Sequence, residues 1–455
     1  MQNDIIAAIA TSRGEAGIAI VRLSGEGSTQ LLDRHFKGKR SLTDAPARTL
    51  CHGYLVSSDD EMLDEVLAVR FNKGESYTGE ESAEIQCHGG LLPAQKCLDL
   101  MLESGAHMAK PGEFTQRAFL SGRIDLLQAE SVLGIIRARS SAALSAAGRV
   151  LEGKLGEEVR SLMQDITQLA AEVEVHLDFP EDEPGETDDL ANKIACLSEQ
   201  TQKILQRCRA GALLQSGAAV ALLGAPNAGK SSLLNALLGE ERAIVTPIAG
   251  TTRDRIEGTL IHNGIPLRLV DTAGIRAAKD PIEEIGVERS LEMFESAEVC
   301  VWVTDASIPL SAEDLRHILS LKEKPHIIVL NKNDLDTCVT IQDIRALFMQ
   351  SPILEVSAAH KKGVEELKNL ITEHLTSNLS LEEGFTTASH RFLEELQNCL
   401  SHLQESYRIT QSASTQADAI AASLSYARQS LANLLGLDAS EDLLNRIFSQ
   451  FCVGK

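Results

Sequence analysis

The stretch AAVALLGAPNAGKSSLLNALLG, residues 218–239, decides the fold of the middle of the chain. An apolar run typical of a strand leads into GAPNAGKS and then into a helix, which is the context that a phosphate-binding P-loop requires. Gly224 and Gly229 allow the backbone N–H groups and the helix N-terminus to face phosphates. Lys230 is expected to reach the β- and γ-phosphates, and the Ser231 hydroxyl to ligate Mg²⁺. The stretch therefore predicts a nucleotide-binding α/β domain.

Two further segments complete the expected phosphate and metal site. GTTRD at 250–254 supplies Thr252, which is expected to ligate Mg²⁺ when a γ-phosphate is present. LRLVDTAG at 267–274 places Asp271 at the end of an apolar strand, close to the metal, with Gly274 near the γ-phosphate. Both segments follow the P-loop in the order that a nucleotide-hydrolysing domain needs.

The base-recognition motif lies in HIIVLNKND, residues 326–334, which ends a strand with Asn331, Lys332 and Asp334. The Asp334 carboxylate can accept hydrogen bonds from the ring N–H and the amino group of guanine. Adenine lacks this donor pair, so ATP would leave a buried charge unsatisfied. EVSAA at 355–359 is the expected closing loop on the base. Five motifs in order predict a guanine-nucleotide domain and oppose an ATPase.

Helical patterns flank this α/β segment on both sides. Residues 1–120 are mixed, with strand-like runs GIAIVRLSG, EVLAVRFN and AEIQCHGG and a helix expected near Leu91–Glu103. Apolar residues at three- and four-residue spacing predict helices from about 125 to 214, interrupted by an acidic stretch at 178–189, and again after about 376. The economical organisation is one helical domain with the α/β domain inserted in it. Two separate helical domains are the alternative.

Composition limits the class of protein and its partners. The 455 residues predict two to four domains, and an apolar content of 43% indicates a soluble globular chain. No apolar run approaches the roughly 20 residues needed to span a bilayer. Nine cysteines without CxxC pairs suit a reducing cytoplasm better than a disulfide framework or a zinc site. A net charge of -22 restricts RNA binding to a local patch or to a partner that supplies the positive charge.

The segment after DTAG lacks the glutamine that usually orients the attacking water, because Ile275 stands there. The chain combines the G-domain motifs, their apparent insertion in a helical domain and the terminal FCVGK at 451–455. In this combination the whole chain resembles the MnmE family of tRNA modification GTPases, also called TrmE. GEFTQRAFLSGRIDL at 112–126 and YTGEESAEIQCHGG at 77–90 are further specific marks.

The resemblance implies a multidomain α/β fold with four parts. These are an N-terminal α+β folate-binding and dimerisation domain at 1–120, a helical domain at 121–215, a Ras-like P-loop G domain at 216–376 inserted in the helical domain, and the second helical part with FCVGK at 377–455.

The resemblance also implies a substitute for the missing glutamine. Glu283 in DPIEEIG would act through water, and a K⁺ ion beside the phosphates would supply positive charge. From the residues alone, Glu283 is more typical of a solvated residue in the first turn of a helix, and Asn227 of a turn residue. Arg276 would steady the closed state. The implied K⁺ ligands are Asn227, Thr246, the Ile248 carbonyl and Thr251.

The complete nucleotide site expected from motifs and resemblance has four segments. They are Asn227, Ala228, Gly229, Lys230, Ser231 and Ser232; Thr246, Pro247, Ile248, Ala249, Gly250, Thr251 and Thr252; Asp271, Thr272, Ala273 and Gly274; and Asn331, Lys332, Asp334, Ser357, Ala358 and Ala359.

A folate site in the N-terminal part follows from the resemblance alone. It implies contacts of Arg22, Glu84, Arg123 and the C-terminal Lys455 with 5,10-methylene- or 5-formyl-tetrahydrofolate. Cations suit the carboxylates of the glutamate tail, and a carboxylate suits the donors of the pterin. Cys452 would be a nucleophile or acid, although a lone cysteine is more typical of a small buried hydrophobe. His88 is interpreted as a residue that orders a loop rather than as a base.

Together these features predict a cytoplasmic GTP hydrolase that modifies the wobble uridine of tRNA. The resemblance implies a homodimer that joins an MnmG-like, FAD-carrying flavoprotein in a heterotetramer or larger complex, with GTP, Mg²⁺, K⁺ and folate as cofactors and no membrane partner. The rival hypothesis is a regulatory P-loop switch in ribosome assembly or signalling. Such a switch has no use for the folate residues or for FCVGK.

Overall fold

A computed structural model describes residues 4–178, 187–239, 257–271, 297–320, 324–349, 351–376, 386, 389–411 and 417–455. The chain forms two compact units. The first unit contains Met1–Leu133, Val150–Leu197 and Asn398–Lys455, and the second contains Gly134–Arg149 and Ser198–Gln397.

The N-terminal part of the first unit is built on a seven-stranded sheet of order β3-β4-β5-β6-β2-β1-β7. Its elements are β1 (Ile6–Ile9), β2 (Ile18–Ser24), α1 (Ser28–Asp33), β3 (Phe36–Gly38), β4 (Cys51–Val56), β5 (Met62–Phe71), β6 (Ser82–His88), α2 (Leu91–Glu103), β7 (His107–Met108) and α3 (Glu113–Leu120). All strand pairs are antiparallel except β1 with β7. The three strands expected from the sequence and the helix α2 are therefore confirmed.

Strands β2 and β6 divide their side chains between two faces, as the period of two requires. Val21 and Leu23 point into the core with Ile85 and Cys87, and α2 packs on this face. Arg22 pairs with Glu84 across the two strands and lies on the other face. The alternation thus places a charged pair on the side of the sheet opposite α2.

Helices follow the sheet and return near the C-terminus, as the sequence pattern predicted. They are α4 (Leu126–Arg137), α5 (Ser141–Leu151), α6 (Lys154–Asp178) and α7 (Thr187–Ser216), and, after the α/β segment, α12 (His390–Thr410), α13 (Ala417–Leu435) and α14 (Glu441–Phe448). In the first unit α6 packs against α13. Buried Leu162, Ile166 and Leu169 of α6 recur at the spacing of one helix face.

The second unit contains a six-stranded sheet of order β13-β12-β11-β8-β10-β9. Its elements are β8 (Ala218–Leu223), α8 (Lys230–Leu238), β9 (Glu257–His262), β10 (Ile265–Asp271), β11 (Val299–Asp305), α9 (Ala312–Ser320), β12 (His326–Asn331), α10 (Ile341–Arg345), β13 (Ile353–Val356) and α11 (Val364–Thr376). Every pair is parallel except β9 with β10.

The strands of this second sheet explain the apolar runs in the sequence. Every residue of β8 and β11 is buried, because parallel strands are covered on both faces. The motifs at Lys230, Asp271 and Asn331 stand where β8, β10 and β12 end, and ligands of such sheets bind at the carboxyl ends of the strands. The predicted fold class is confirmed: an α+β N-terminal part, helices and a P-loop α/β unit. Among the described residues, no helix is both long enough and apolar enough to cross a membrane.

Candidate functional site

The P-loop follows β8 and is shaped by two glycines with positive φ. A Cβ on Gly224, at φ +139°, would lie 2.1 Å from the carbonyl oxygen of Val303. A Cβ on Gly229, at φ +92°, would lie 2.2 Å from the Nδ2 atom of Asn331. No side chain fits at either position, so the loop needs glycine for its close approach to β11 and to the base-recognition motif. Asn227 adopts φ 64°, which asparagine tolerates better than most residues.

Lys230 begins α8 with its side chain folded into this loop. Its residue is 6% exposed, and Nζ donates to the carbonyl oxygens of Gly224 at 2.7 Å and Ala225 at 2.8 Å. The ammonium therefore lies inside the loop, beside the N-terminus of α8, where phosphates bind in P-loops. A buried cation at this point fits the negative charge of a nucleotide. Ser231 and Ser232 follow on the exposed first turn of α8.

Asn331 holds three segments of the nucleotide site together. It is 1% exposed, and its Nδ2 donates to the Ala228 carbonyl at 2.9 Å. Its Oδ1 accepts from the Ala358 backbone N–H at 3.1 Å. The amide thus joins the P-loop to the loop after β13, and both of its polar ends are satisfied inside the protein.

Asp334 and Lys332, which follow Asn331 in sequence, are each fixed by one short contact. Ser357 donates its hydroxyl to Asp334 Oδ1 at 2.5 Å, and this hydrogen bond holds the pKa of the Asp334 carboxyl below its ordinary value. Lys332 has φ 65°, and its Nζ lies 2.5 Å from Asp305 Oδ2. Asp334 is thereby kept ionised and oriented, as an acceptor for two guanine donors must be. Ala359 follows Ser357 and Ala358 on the exposed end of the closing loop.

The remaining predicted nucleotide-site residues separate into two groups. The backbone of Asp271 ends β10, which pairs with β8 through Asp271 and Leu222, so the strand delivers this residue beside the P-loop. The others lie outside the described residues. They are Thr246, Pro247, Ile248, Ala249, Gly250, Thr251, Thr252, Thr272, Ala273, Gly274, Arg276 and Glu283.

A second cluster of predicted residues lies in the first unit, on the face of the sheet opposite α2. Arg22 Nε donates to Glu84 Oε1 at 2.8 Å, and both side chains are largely buried. The guanidinium carbon of Arg22 lies 5.1 Å from the centre of the Tyr77 ring and 5.8 Å from that of Phe114. Arg123 approaches the same Tyr77 ring at 5.4 Å and donates to the Tyr77 carbonyl at 2.7 Å. Three of the four predicted folate residues therefore meet around Tyr77.

Tyr77 is the residue that sequence reasoning did not single out. It lies in YTGEES, directly before strand β6, and its hydroxyl is 2.9 Å from Thr115 Oγ1. The aromatic ring attracts the two guanidinium groups and so sets their spacing. The sequence offered one signal for Tyr77: it is an aromatic residue in a motif that was already singled out for its charged residues.

The loop that carries Tyr77 is anchored at its acidic end. Glu81 accepts from the backbone N–H groups of Gly27 and Thr29, each at 3.1 Å, at the start of α1. Glu80 accepts from Ser24 Oγ at 2.8 Å and from Arg117 at 3.3 Å. These bonds tie the loop to β2, to the start of α1 and to α3, and so fix the position of Tyr77 in the fold.

The C-terminal FCVGK is held in the same unit, against β1 and the start of α3. The carbonyl oxygen of Cys452 accepts from the Gly112 N–H at 3.5 Å. A Cβ on Gly454, at φ +93°, would lie 2.4 Å from the carbonyl oxygen of Ile9. The neighbour of Ile9, Ala8, pairs with Arg22 on β2, so the tail contacts the strand next to the one that carries Arg22.

Cys452 is exposed, so the interpretation of this thiol as a small buried hydrophobe is wrong. The apolar anchor of the tail is Phe451 instead, which is 5% exposed and packs 5.6 Å from the ring of Phe448. Burying Phe451 turns the next side chain outward. Lys455 is half-buried, and its backbone N–H donates to the Cys452 carbonyl at 3.3 Å.

Comparison with known proteins finds two matching family models and full-length relatives. The family model of the GTP-binding protein TrmE N-terminus matches residues 5–123, and that of the MnmE helical domain matches residues 126–452. The tRNA modification GTPase MnmE of Moorella thermoacetica is 42% identical over 467 residues, covering 100% of both chains. That of Alkaliphilus oremlandii is 38% identical over 459 residues, covering 100% of this chain and 99% of the relative.

Among solved structures, the G domain of the T. maritima FeoB iron transporter is 27% identical, with a TM-score of 0.28, and covers 34% of this chain and 98% of that one. The two family models and the full-length identities leave one conclusion: the chain belongs to the MnmE, or TrmE, family of tRNA modification GTPases.

Proposed function

We propose that this chain hydrolyses GTP with the help of K⁺ and, with an MnmG-like flavoprotein, modifies the wobble uridine of certain tRNAs. The product carries a carboxymethylaminomethyl or aminomethyl group at ring carbon five. A tetrahydrofolate supplies the one-carbon unit, and the flavoprotein carries FAD. The observation that carries the proposal is the seat of FCVGK against β1, the strand that pairs with the Arg22 strand β2, because a simple GTP-driven switch has no use for this arrangement.

The nucleotide half of the proposal rests on side chains already in place. The Lys230 ammonium fits the charge of the β- and γ-phosphates, and Mg²⁺ on Ser231 would add positive charge there. Asp334, held ionised by Ser357, accepts the two hydrogen bonds that distinguish guanine. Asn331 keeps the phosphate loop and the base loop in register through Ala228 and Ala358.

The folate half rests on the charges around Tyr77. Arg22 and Arg123 offer cations, and Glu84 offers an acceptor, to the carboxylates and to the amino and ring N–H groups of a folate. The tail would bring Lys455 and the exposed Cys452 to the same strands. The homodimer, the heterotetrameric or larger complex with the flavoprotein, the domain limits at 120, 215 and 376, and the cytoplasmic location are parts of this proposal.

The K⁺ mechanism predicts a specific salt effect. GTP hydrolysis is expected to be at least tenfold faster in KCl than in NaCl of equal ionic strength, because a fixed cation beside the phosphates replaces the charge that an arginine finger supplies. Glu283→Ala is expected to remove most of the activity in KCl, with Glu284→Ala as the matched control. Steady-state phosphate release measures both. Equal rates in the two salts, or an active Glu283→Ala protein, would leave the ordinary switch as the better interpretation.

The modification chemistry predicts that the tail is needed for product but not for GTP turnover. Gly454→Ala is expected to weaken 5-formyltetrahydrofolate binding and lower the yield of modified uridine at least tenfold. The added Cβ meets the Ile9 carbonyl at a strained φ and displaces the tail. Titration calorimetry measures the folate, and mass spectrometry of tRNA nucleosides measures the product after reaction with the flavoprotein, GTP, folate and glycine or ammonium.

The neighbouring Val453→Ala serves as control, since Val453 is exposed. It should retain folate binding and product formation. Wild-type protein that binds no folate and forms no modified uridine, while still hydrolysing GTP, would favour the regulatory switch.

A further inference from the structure

Two cysteines and an aspartate converge beneath α2, in the first unit and away from the Tyr77 cluster. The sulfur atoms of Cys87 on β6 and Cys97 on α2 and a carboxylate oxygen of Asp64 on β5 all lie within 4.8 Å of one another. The Cys87 thiol donates to the Ala19 carbonyl oxygen at 3.4 Å. Three separate elements thus direct three metal-binding groups to one point, and each element is held by the sheet or its covering helix.

We propose that Cys87, Cys97 and Asp64 bind a single Zn²⁺ ion. Zn²⁺ is bound by cysteine sulfur at about 2.3 Å and by carboxylate oxygen at about 2.0–2.2 Å, usually in a tetrahedron. Such a tetrahedron has ligand atoms about 3.3–3.8 Å apart, so small side-chain rotations bring the three groups to bonding distance. Two soft thiolates select Zn²⁺ over Mg²⁺ or Ca²⁺. Water supplies the fourth ligand.

The burial of the three groups favours a tightly bound metal ion over one that exchanges rapidly with solvent. Cys87 is 2% exposed and Cys97 is fully buried, and both belong to the hydrophobic core between the sheet and α2. Asp64 is the member nearest the surface, with a side chain 12% exposed. An ion would therefore enter at the carboxylate and then reach the sulfurs.

His88 orients the carboxylate ligand from the outside. Its backbone N–H donates to Asp64 Oδ2 at 2.8 Å, and its Nδ1 lies 2.7 Å from Asp64 Oδ1. Outer hydrogen bonds of this kind fix the ligands of zinc sites. This role also explains His88 better than that of a base, because its imidazole is directed to Asp64 rather than to the cluster around Tyr77.

The ion would brace the strand that carries part of the candidate folate site. Glu84 and Cys87 stand on opposite faces of β6. A zinc ion bound to Cys87 would link β6 to Cys97 on α2 and to Asp64 on β5. It would therefore hold β6 from the face opposite Glu84. Metal binding at this site requires neither GTP nor tRNA, so it can be tested separately from GTP hydrolysis and from the proposed tRNA chemistry.

Cobalt is the probe, because Co²⁺ occupies tetrahedral zinc sites and its bonds to thiolate absorb in the near ultraviolet. Full-length reduced protein, freed of metal, is titrated with Co²⁺. One equivalent is expected to give thiolate-to-cobalt and tetrahedral absorption bands, which one equivalent of Zn²⁺ abolishes. Cys87→Ser and Cys97→Ser should lose at least half of the charge-transfer band, and Asp64→Asn should bind Co²⁺ at least tenfold more weakly.

Cys51→Ser is the control, since Cys51 is a half-buried cysteine of the same sheet outside the cluster; its cobalt spectrum should match that of the wild type. Wild-type protein without tetrahedral cobalt bands would overturn the proposal whether or not the variants fold. Bands that persist unchanged in Cys87→Ser and Cys97→Ser would also overturn it, as would a Cys87–Cys97 disulfide found in protein purified under reducing conditions.

Discussion

Replacing Lys230 by methionine is expected to lower kcat for GTP hydrolysis about a hundred- to a thousandfold, the usual cost of removing one preorganised charge-stabilising group. Methionine keeps the length of the buried stem and removes only the ammonium. That ammonium is enclosed by the P-loop, where it binds the Gly224 and Ala225 carbonyls, and a cation acts more strongly in such a site than in water. Steady-state phosphate release in KCl measures the effect.

Lys368→Ala is the matched control, since Lys368 lies on α11 and pairs with the exposed Glu365 at 3.2 Å. It should hydrolyse GTP at the wild-type rate. A Lys230→Met protein that unfolds at the wild-type temperature and retains more than a tenth of the activity would show that Lys230 is not the group that stabilises the phosphates.

Replacing Asp334 by asparagine is expected to weaken GTP binding about a hundredfold and to reverse the preference between GTP and xanthosine triphosphate. Hydrogen bonds to a charged group contribute about 1.5–3 kcal/mol each, and the asparagine amide, with one acceptor oxygen and an NH₂ donor, cannot accept from both guanine donors. Xanthine carries a carbonyl at that ring position, which accepts from the amide N–H instead. Competition of both nucleotides against a fluorescent GTP analogue measures the ratio.

The control is Asp336→Asn, a change of the same kind at an exposed position two residues later. An unaltered ratio of the two affinities in Asp334→Asn would place base recognition elsewhere. The pH dependence follows from Ser357, which lowers the pKa of Asp334 below its ordinary value of 3.8. The stabilisation from this carboxylate is therefore present above that value and is lost only as the pH falls through the lower pKa of the folded protein.

The fold of the second unit follows largely from local sequence. β8 and β12 are apolar runs that end at Gly224 and Asn331, and runs buried on both faces admit few other interpretations. The phosphate and base motifs were located in the same way, because each needs a strand end and a fixed set of residue types.

Local sequence pattern predicted much less of the candidate folate site in the N-terminal part of the chain. Arg22, Glu84 and Arg123 were singled out only through the family resemblance, since an isolated charged residue has no chemical signature in the sequence. Tyr77 was missed, because its value depends on two arginines that are 55 residues before it and 46 residues after it in sequence. The burial of Phe451, and with it the exposure of Cys452, depends likewise on packing against Phe448.

By itself, the sequence determined the P-loop unit, the guanine-specific motif, the helices on either side and the family. These properties are encoded in short segments whose period and residue types limit the backbone directly. Only the tertiary structure decided that Tyr77 joins two arginines, that Gly454 seats the tail against Ile9, and that Cys87, Cys97 and Asp64 meet beneath α2. The cysteines stand ten residues apart without a metal-binding motif. They become neighbours because a strand and its covering helix bury the same face, and that is a property of packing.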